Sequence, residues 1–68
     1  MFEILLALEN ERTLALRFTM SGPSNLVEFL RTFGFKRDAA RELVKGLNRG
    51  RTPAQVPGSG DVLYLKLL

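Results

Sequence analysis

The sequence contains no cysteine, no histidine and no tryptophan, and it has one tyrosine. Without cysteine there is no disulfide framework and no zinc–thiolate site, so an aliphatic core must hold the fold together. Without histidine or cysteine there is no imidazole base, no thiolate nucleophile and no ordinary transition-metal ligand set. Ser21, Ser24, Ser59 and Tyr64 have no evident activating base. Glu9 and Glu11 flank a turn and read as solvated carboxylates. Pro57-Gly58-Ser59-Gly60 lacks the Lys-Ser/Thr that a phosphate loop requires. Asp61 and Lys66 lack the second acidic residue of a nuclease arrangement. The expectation is a chain that is not an enzyme and carries no cofactor. No apolar run approaches a membrane span, and Met1 leads straight into a short alternating segment without a basic n-region or cleavage site. A cytoplasmic protein that does not engage a membrane is therefore expected.

What is present is an apolar fraction of 46% in 68 residues, enough for the core of a single domain over 1–68. A chain this short buries a modest share of its surface and gains from a partner or a second copy. Charge is unevenly placed. Arg31, Lys36, Arg37, Arg41, Lys45, Arg49 and Arg51 stand against Asp38 and Glu42, a balance of +5 within a whole-chain net charge of +3. Such asymmetry implies an anionic partner facing one end of the domain.

Periodicity assigns the elements. Phe2, Ile4, Leu6 and Leu8 alternate along one segment and Leu14, Leu16, Phe18 and Met20 along the next, two strands joined by the short polar connection Glu9-Asn10-Glu11-Arg12. Asn25-Leu26-Val27-Glu28 has the spacing of a capping box that opens a first helix, with Leu26, Phe29, Leu30 and Phe33 on its apolar face and Gly34 ending it. A second helix is expected from Lys36 to Asn48, with Ala39, Ala40, Leu43, Val44 and Leu47 on a single stripe and Gly50 closing it. Thr52 to Asp61 reads as a loop. Val62 to Leu68 is a strand with Leu63, Leu65 and Leu67 on one face. The expected fold is α+β, a small ββααβ domain with a three-stranded sheet and two helices packed on one face. On the other sheet face Leu5, Ala7, Ala15, Val62, Tyr64 and Leu68 lie among Glu3, Arg17, Thr19 and Lys66. So apolar an outer face predicts a homodimer, with Tyr64 and Leu5 or Leu68 near its interface.

The stretch GFKRDAARELVKGLNRGR poses a problem, because its helix opens with Lys36 and Arg37. A helix N-terminus already carries partial positive charge, so cations there cost roughly 0.3–1 kcal/mol. At 100° per residue Arg37, Arg41, Lys45 and Asn48 fall within an arc of about 80°, a cationic ridge opposite the Ala39–Leu47 stripe. The like-charge pairs Arg37/Arg41 and Arg41/Lys45 are offset by Asp38/Arg41 and Glu42/Lys45 at i,i+3. A phosphate would turn the misplaced cations into a binding site, since backbone N–H groups and side-chain charge would then address the same anion.

The segment LVEFLRTFGFKRDAARELVK resembles a helix-turn-helix of the winged-helix kind. Counting Leu26 as its first residue, Gly34 takes the ninth place, where the turn needs a positive φ, and Ala40 and Leu43 take the two later buried places. The resemblance implies that Lys36–Asn48 is a recognition helix presenting Arg37, Arg41 and Lys45 to the major groove, with Arg31 near the backbone. It also implies a wing in which Ala54–Val56 pairs back on Val62–Tyr64, with Arg49 and Arg51 at its base. Leu30 stands where a small residue is usual, and Lys36 where a Ser/Thr cap is usual. The run from Gly22 to Val44 is similar as well to the paired helices in the C-terminal domain of the bacterial ribosomal stalk protein. That resemblance implies contacts from Arg31, Lys36 and Arg41 to an acidic protein surface. Two functions are therefore expected in order: binding of duplex DNA through the second helix, and binding of an acidic protein surface. Single-stranded RNA fits less well, because Tyr64 is the one candidate stacking platform.

Overall fold

A computed structural model describes residues 1–7 and 14–68. Its elements in chain order are β1 (Phe2–Ala7), β2 (Leu14–Met20), α1 (Pro23–Thr32), α2 (Arg37–Lys45), β3 (Thr52–Gln55) and β4 (Val62–Leu67). The strands form one sheet in the order β2-β1-β4-β3, with every neighbouring pair antiparallel. The α+β class and the first hairpin stand as expected. The expected connection at Glu9–Arg12 lies outside the described residues.

The sheet has four strands, not three. Thr52-Pro53-Ala54-Gln55 reads as a loop in sequence because proline cannot donate to a ladder, yet it forms an edge strand, one of the few strand positions that tolerate proline. Ala54 lies opposite Leu63 and Gln55 opposite Val62. The chain reverses at Val56-Pro57-Gly58-Ser59, where the Ser59 N–H donates to the Val56 carbonyl at 3.2 Å. Gly58 has a φ of +72°, which suits proline followed by glycine in a type II turn. The tail therefore does fold back on the last strand.

Strands β1 and β4 occupy the centre, and their register places Phe2, Ile4 and Leu6 opposite Leu67, Leu65 and Leu63. Phe2, Ile4 and Leu6 share one core with Leu26 and Leu30 of α1, Ala40 of α2, and Leu63 and Leu65, so both helices cover that sheet face. Each fully buried leucine there contributes roughly 1.5–3 kcal/mol. Against β2 the register slips between Leu6 and Ala7, so that Leu6 meets Leu16 while Ala7 meets Leu14. Leu14 thus leaves the register row of Leu16, Phe18 and Met20 that strict alternation predicts, as happens at a β-bulge.

The outer sheet face is drier than its sequence suggests. Leu5 lies between Arg17 and Tyr64 in register and is only 1% exposed. It is covered within the chain and cannot serve as an interface residue. The large hydrophobic residues that do stand out among the described residues are Met1 and Leu68, 62% and 49% exposed. They are neighbours, because the Leu68 N–H donates to the Met1 carbonyl at 2.9 Å.

Candidate nucleic-acid interface on the helices

Helix α1 begins two residues before the expected cap. Gly22 is its N-cap and Pro23 its first residue, where a missing N–H costs nothing. Asn25 does not cap; its side-chain amide donates to the Ser21 carbonyl at 2.9 Å. At the other end Gly34 N–H donates to the Arg31 carbonyl and Phe35 N–H to the Leu30 carbonyl, at 3.0 and 3.3 Å. These are the two bonds of a Schellman motif, and Gly34 takes the left-handed φ of +98° that it requires. The turn delivers the chain to Lys36, the extended N-cap of α2, whose side chain makes no capping hydrogen bond.

Helix α2 is shorter than expected. It ends at Lys45 with Gly46 as C-cap in a right-handed conformation, and Gly46 N–H donates to the Glu42 and Leu43 carbonyls. The carbonyl of Asn48 instead accepts from Leu67 N–H at 2.8 Å, which draws the chain off the helix axis toward β4. Gly50 therefore closes no helix. Ala40 is the one fully buried residue of α2, Leu43 and Val44 are half-buried, and Ala39 is exposed, so Ala39 leaves the expected core stripe.

That shift in the buried direction relocates the ridge. On a helical wheel Arg37 lies about 60° from Ala40, Arg41 about 100° and Lys45 about 140°. The ridge is thus on the flank of α2, not opposite its core. It forms one wall of a hollow between the helices, of about 370 Å³, with Arg37, Arg41 and Lys45 along the α2 side. Pro23, Ser24, Val27 and Glu28 of α1 form the other wall, and Val44 lines it from α2. The valines are half-buried and the cations exposed.

Few of these cations are paired. Lys45 Nζ lies 3.9 Å from Glu42, and Arg31 Nη1 lies 3.8 Å from Glu28. The expected Asp38/Arg41 pair is not formed, and among the described residues Lys36, Arg37, Arg41 and Arg49 make no ion pair. Arg31 lies on the same flank of α1 as Val27, about 40° away on the wheel. Arg49 is exposed in the bend after α2.

Arg51 stands apart from this group. After Arg17 and Lys66, its charge makes the smallest contribution to holding the Glu3 carboxyl below its ordinary value of 4.5. Glu3 alternates with Phe2 and Ile4 and so belongs to the outer sheet face. The chief cause of its lowered pKa is hydrogen bonding from Arg17, whose Nε and Nη2 both donate to one Glu3 oxygen, at 3.1 and 2.7 Å. Burial opposes this, since Glu3 is only 5% exposed. The seven expected site residues thus separate into a helical set and Arg51. Alternation places Glu3 and Arg17 on one face but gives no reason to pair them; that needs the register. Val27 lines the hollow without belonging to the expected site, and the sequence signal that marks it is its position outside the Leu26–Leu30–Phe33 stripe.

Among the described residues no group of three or more acidic side chains is placed to hold a metal ion, and no helix is long and apolar enough to cross a membrane. No protein-family model, curated protein or solved structure matches the chain.

Proposed function

We propose that this chain is a small cytoplasmic module that binds duplex nucleic acid, DNA first of all, through the start and flank of α2. The observation that carries this reading is the set Lys36, Arg37 and Arg41, which are exposed and make no ion pair among the described residues. Left in water, the first two oppose the helix dipole; beside a phosphate, they act with the free N–H groups of the first turn. Arg41 and Lys45 continue the ridge by one turn each, and a guanidinium there can address a guanine edge bidentately. Arg31 and Arg49 supply phosphate contacts, which position the protein without reading sequence. Arg51 is the weakest member of the set, because it lies toward the sheet.

A mobility-shift titration over a salt series tests this. Affinity for duplex DNA should fall with a log–log slope of about −0.9 for each phosphate neutralised. Arg41→Ala should cost roughly 1–3 kcal/mol and relax base preference if Arg41 reads a base edge. Failure to shift any duplex at about 50 mM salt and micromolar protein would remove the reading, given how strongly low salt favours phosphate contacts. Capture of an acidic protein through the same arginines, with weak and sequence-indifferent DNA binding, would replace it with the second expectation.

The reading includes self-association. Met1 and Leu68 form an adjacent exposed apolar pair beside the outer sheet face that carries Tyr64. A homodimer with Tyr64 and Leu68 near its interface would present two copies of α2, and paired half-sites about 34 Å apart would follow. Sedimentation should show a dimer that Tyr64→Glu disrupts; a monomer at high micromolar concentration would refute it.

A further inference from the structure

Duplex binding uses the cations of α2 but gives no role to the apolar floor beneath them. We propose that the hollow between α1 and α2 binds a small amphipathic carboxylate, an apolar ring or chain carrying one anionic group. Its volume of about 370 Å³ is at the lower end of small-molecule sites. Val27 and Val44 offer half-buried apolar surface from opposite helices, and Pro23 lines the hollow at the start of α1. Arg37, Arg41 and Lys45 stand along one wall, so an apolar body lying on the valines would bring its carboxylate to Arg41 at the centre.

The charge of the hollow selects the anion. Its one carboxylate, Glu28, faces Arg31 at 3.8 Å on its own helix, while Arg41 makes no ion pair among the described residues. Lys45 is shared with Glu42 at 3.9 Å, so Arg37 and Arg41 are the cations that leave the hollow positive. A second hollow on the far side of α1, of about 450 Å³, is lined by Met20 and Phe29 but by no cation, and Glu28 also borders it. It is larger and more apolar, yet it has the wrong sign for a carboxylate. The two hollows therefore make opposite predictions for the same ligand, and size alone would favour the wrong one.

The test is a titration of the ¹⁵N-labelled full chain with sodium phenylacetate, with 2-phenylethanol and sodium acetate as probes of the apolar and anionic parts alone. Phenylacetate should move the amides of Val27 and Val44 and the Nε–H of Arg41 in a saturable way, with a Kd on the order of 1 mM for a ligand this small. The alcohol and acetate should leave those signals in place at the same concentrations. Arg41→Gln should weaken phenylacetate about tenfold, as removal of a charge-assisted hydrogen bond does, and Arg41→Lys should weaken it less. An unchanged amide spectrum elsewhere would show that both variants fold. Equal shifts from the alcohol, shifts centred on Met20 and Phe29, or indifference to Arg41→Gln would each overturn the proposal. None of these readouts involves nucleic acid, so the site stands or falls apart from the duplex-binding reading.

Discussion

Gly34 and Gly46 both follow a helix, but only Gly34 has a left-handed backbone, with φ of +98° against −85°. A Cβ at Gly34 would meet nothing closer than Pro57 Cβ at 3.8 Å, so conformation, not space, restricts the position. Gly34→Ala should therefore destabilise the fold by about 1–2 kcal/mol, the cost of a left-handed L-residue. Gly46→Ala should cost no conformational strain, and paired urea denaturation curves measure the difference. Glu3 sets a second expectation. Its folded-state pKa lies below 4.5, so its pairing with Arg17 stabilises fully above the unfolded value and is lost as pH falls through the folded one. Acid titration of the wild type against Glu3→Gln should show the two stability curves converging as pH falls from the unfolded value through the folded one. Parallel curves would mean the pair contributes nothing.

At the scale of elements, β3 tests the architecture most directly. Ala54 is buried at 5% exposure and Gln55 is exposed, as successive strand residues should be. Ala54→Asp should unfold much of the population, since an unpaired charge in this core costs several kcal/mol against a total stability of about 5–15 kcal/mol. Gln55→Asp should stay within about 1 kcal/mol, as most surface changes do. Equal tolerance at both positions would mean that the segment is a loop. The strands whose apolar residues alternate are legible in the sequence, and so is the turn at Gly34, because each is governed by local pattern. Strand β3 is not, because its proline and single buried alanine carry no periodic signal and its pairing is fixed by β4. The end of α2 is hidden for a similar reason. Its pattern runs on through Leu47, but the Asn48 carbonyl is taken by β4. The ridge is legible as an arc of cations; its place beside α1 depends on which alanine the core buries.

For the whole molecule, the helical layer and the outer sheet face each carry excess positive charge, and the two point in opposite directions. Arg31, Lys36, Arg37, Arg41 and Lys45 belong to the helices; Arg17, bonded to Glu3, and Lys66, opposite Glu3 in register, belong to the sheet side. A field of net +3 attracts any polyanion weakly from either side. Local contact is different, because it releases counterions only where phosphates are touched. Neutralising the ridge as Arg37→Gln/Arg41→Gln/Lys45→Gln should therefore lower the salt slope by about 0.9 for each phosphate that the protein no longer touches, besides weakening affinity. Neutralising Lys66→Gln on the sheet side should weaken affinity slightly at low salt and leave the slope unchanged. Arg17 is kept in that control, because removing it would leave Glu3 buried without its principal partner. Mobility-shift titrations of both variants and the wild type at several salt concentrations decide the matter. A slope that falls in both variants in proportion to charge removed would mean that the whole field binds and α2 has no special role. A slope that falls only with the ridge would assign the binding to the helices and account for the cations at the start of α2.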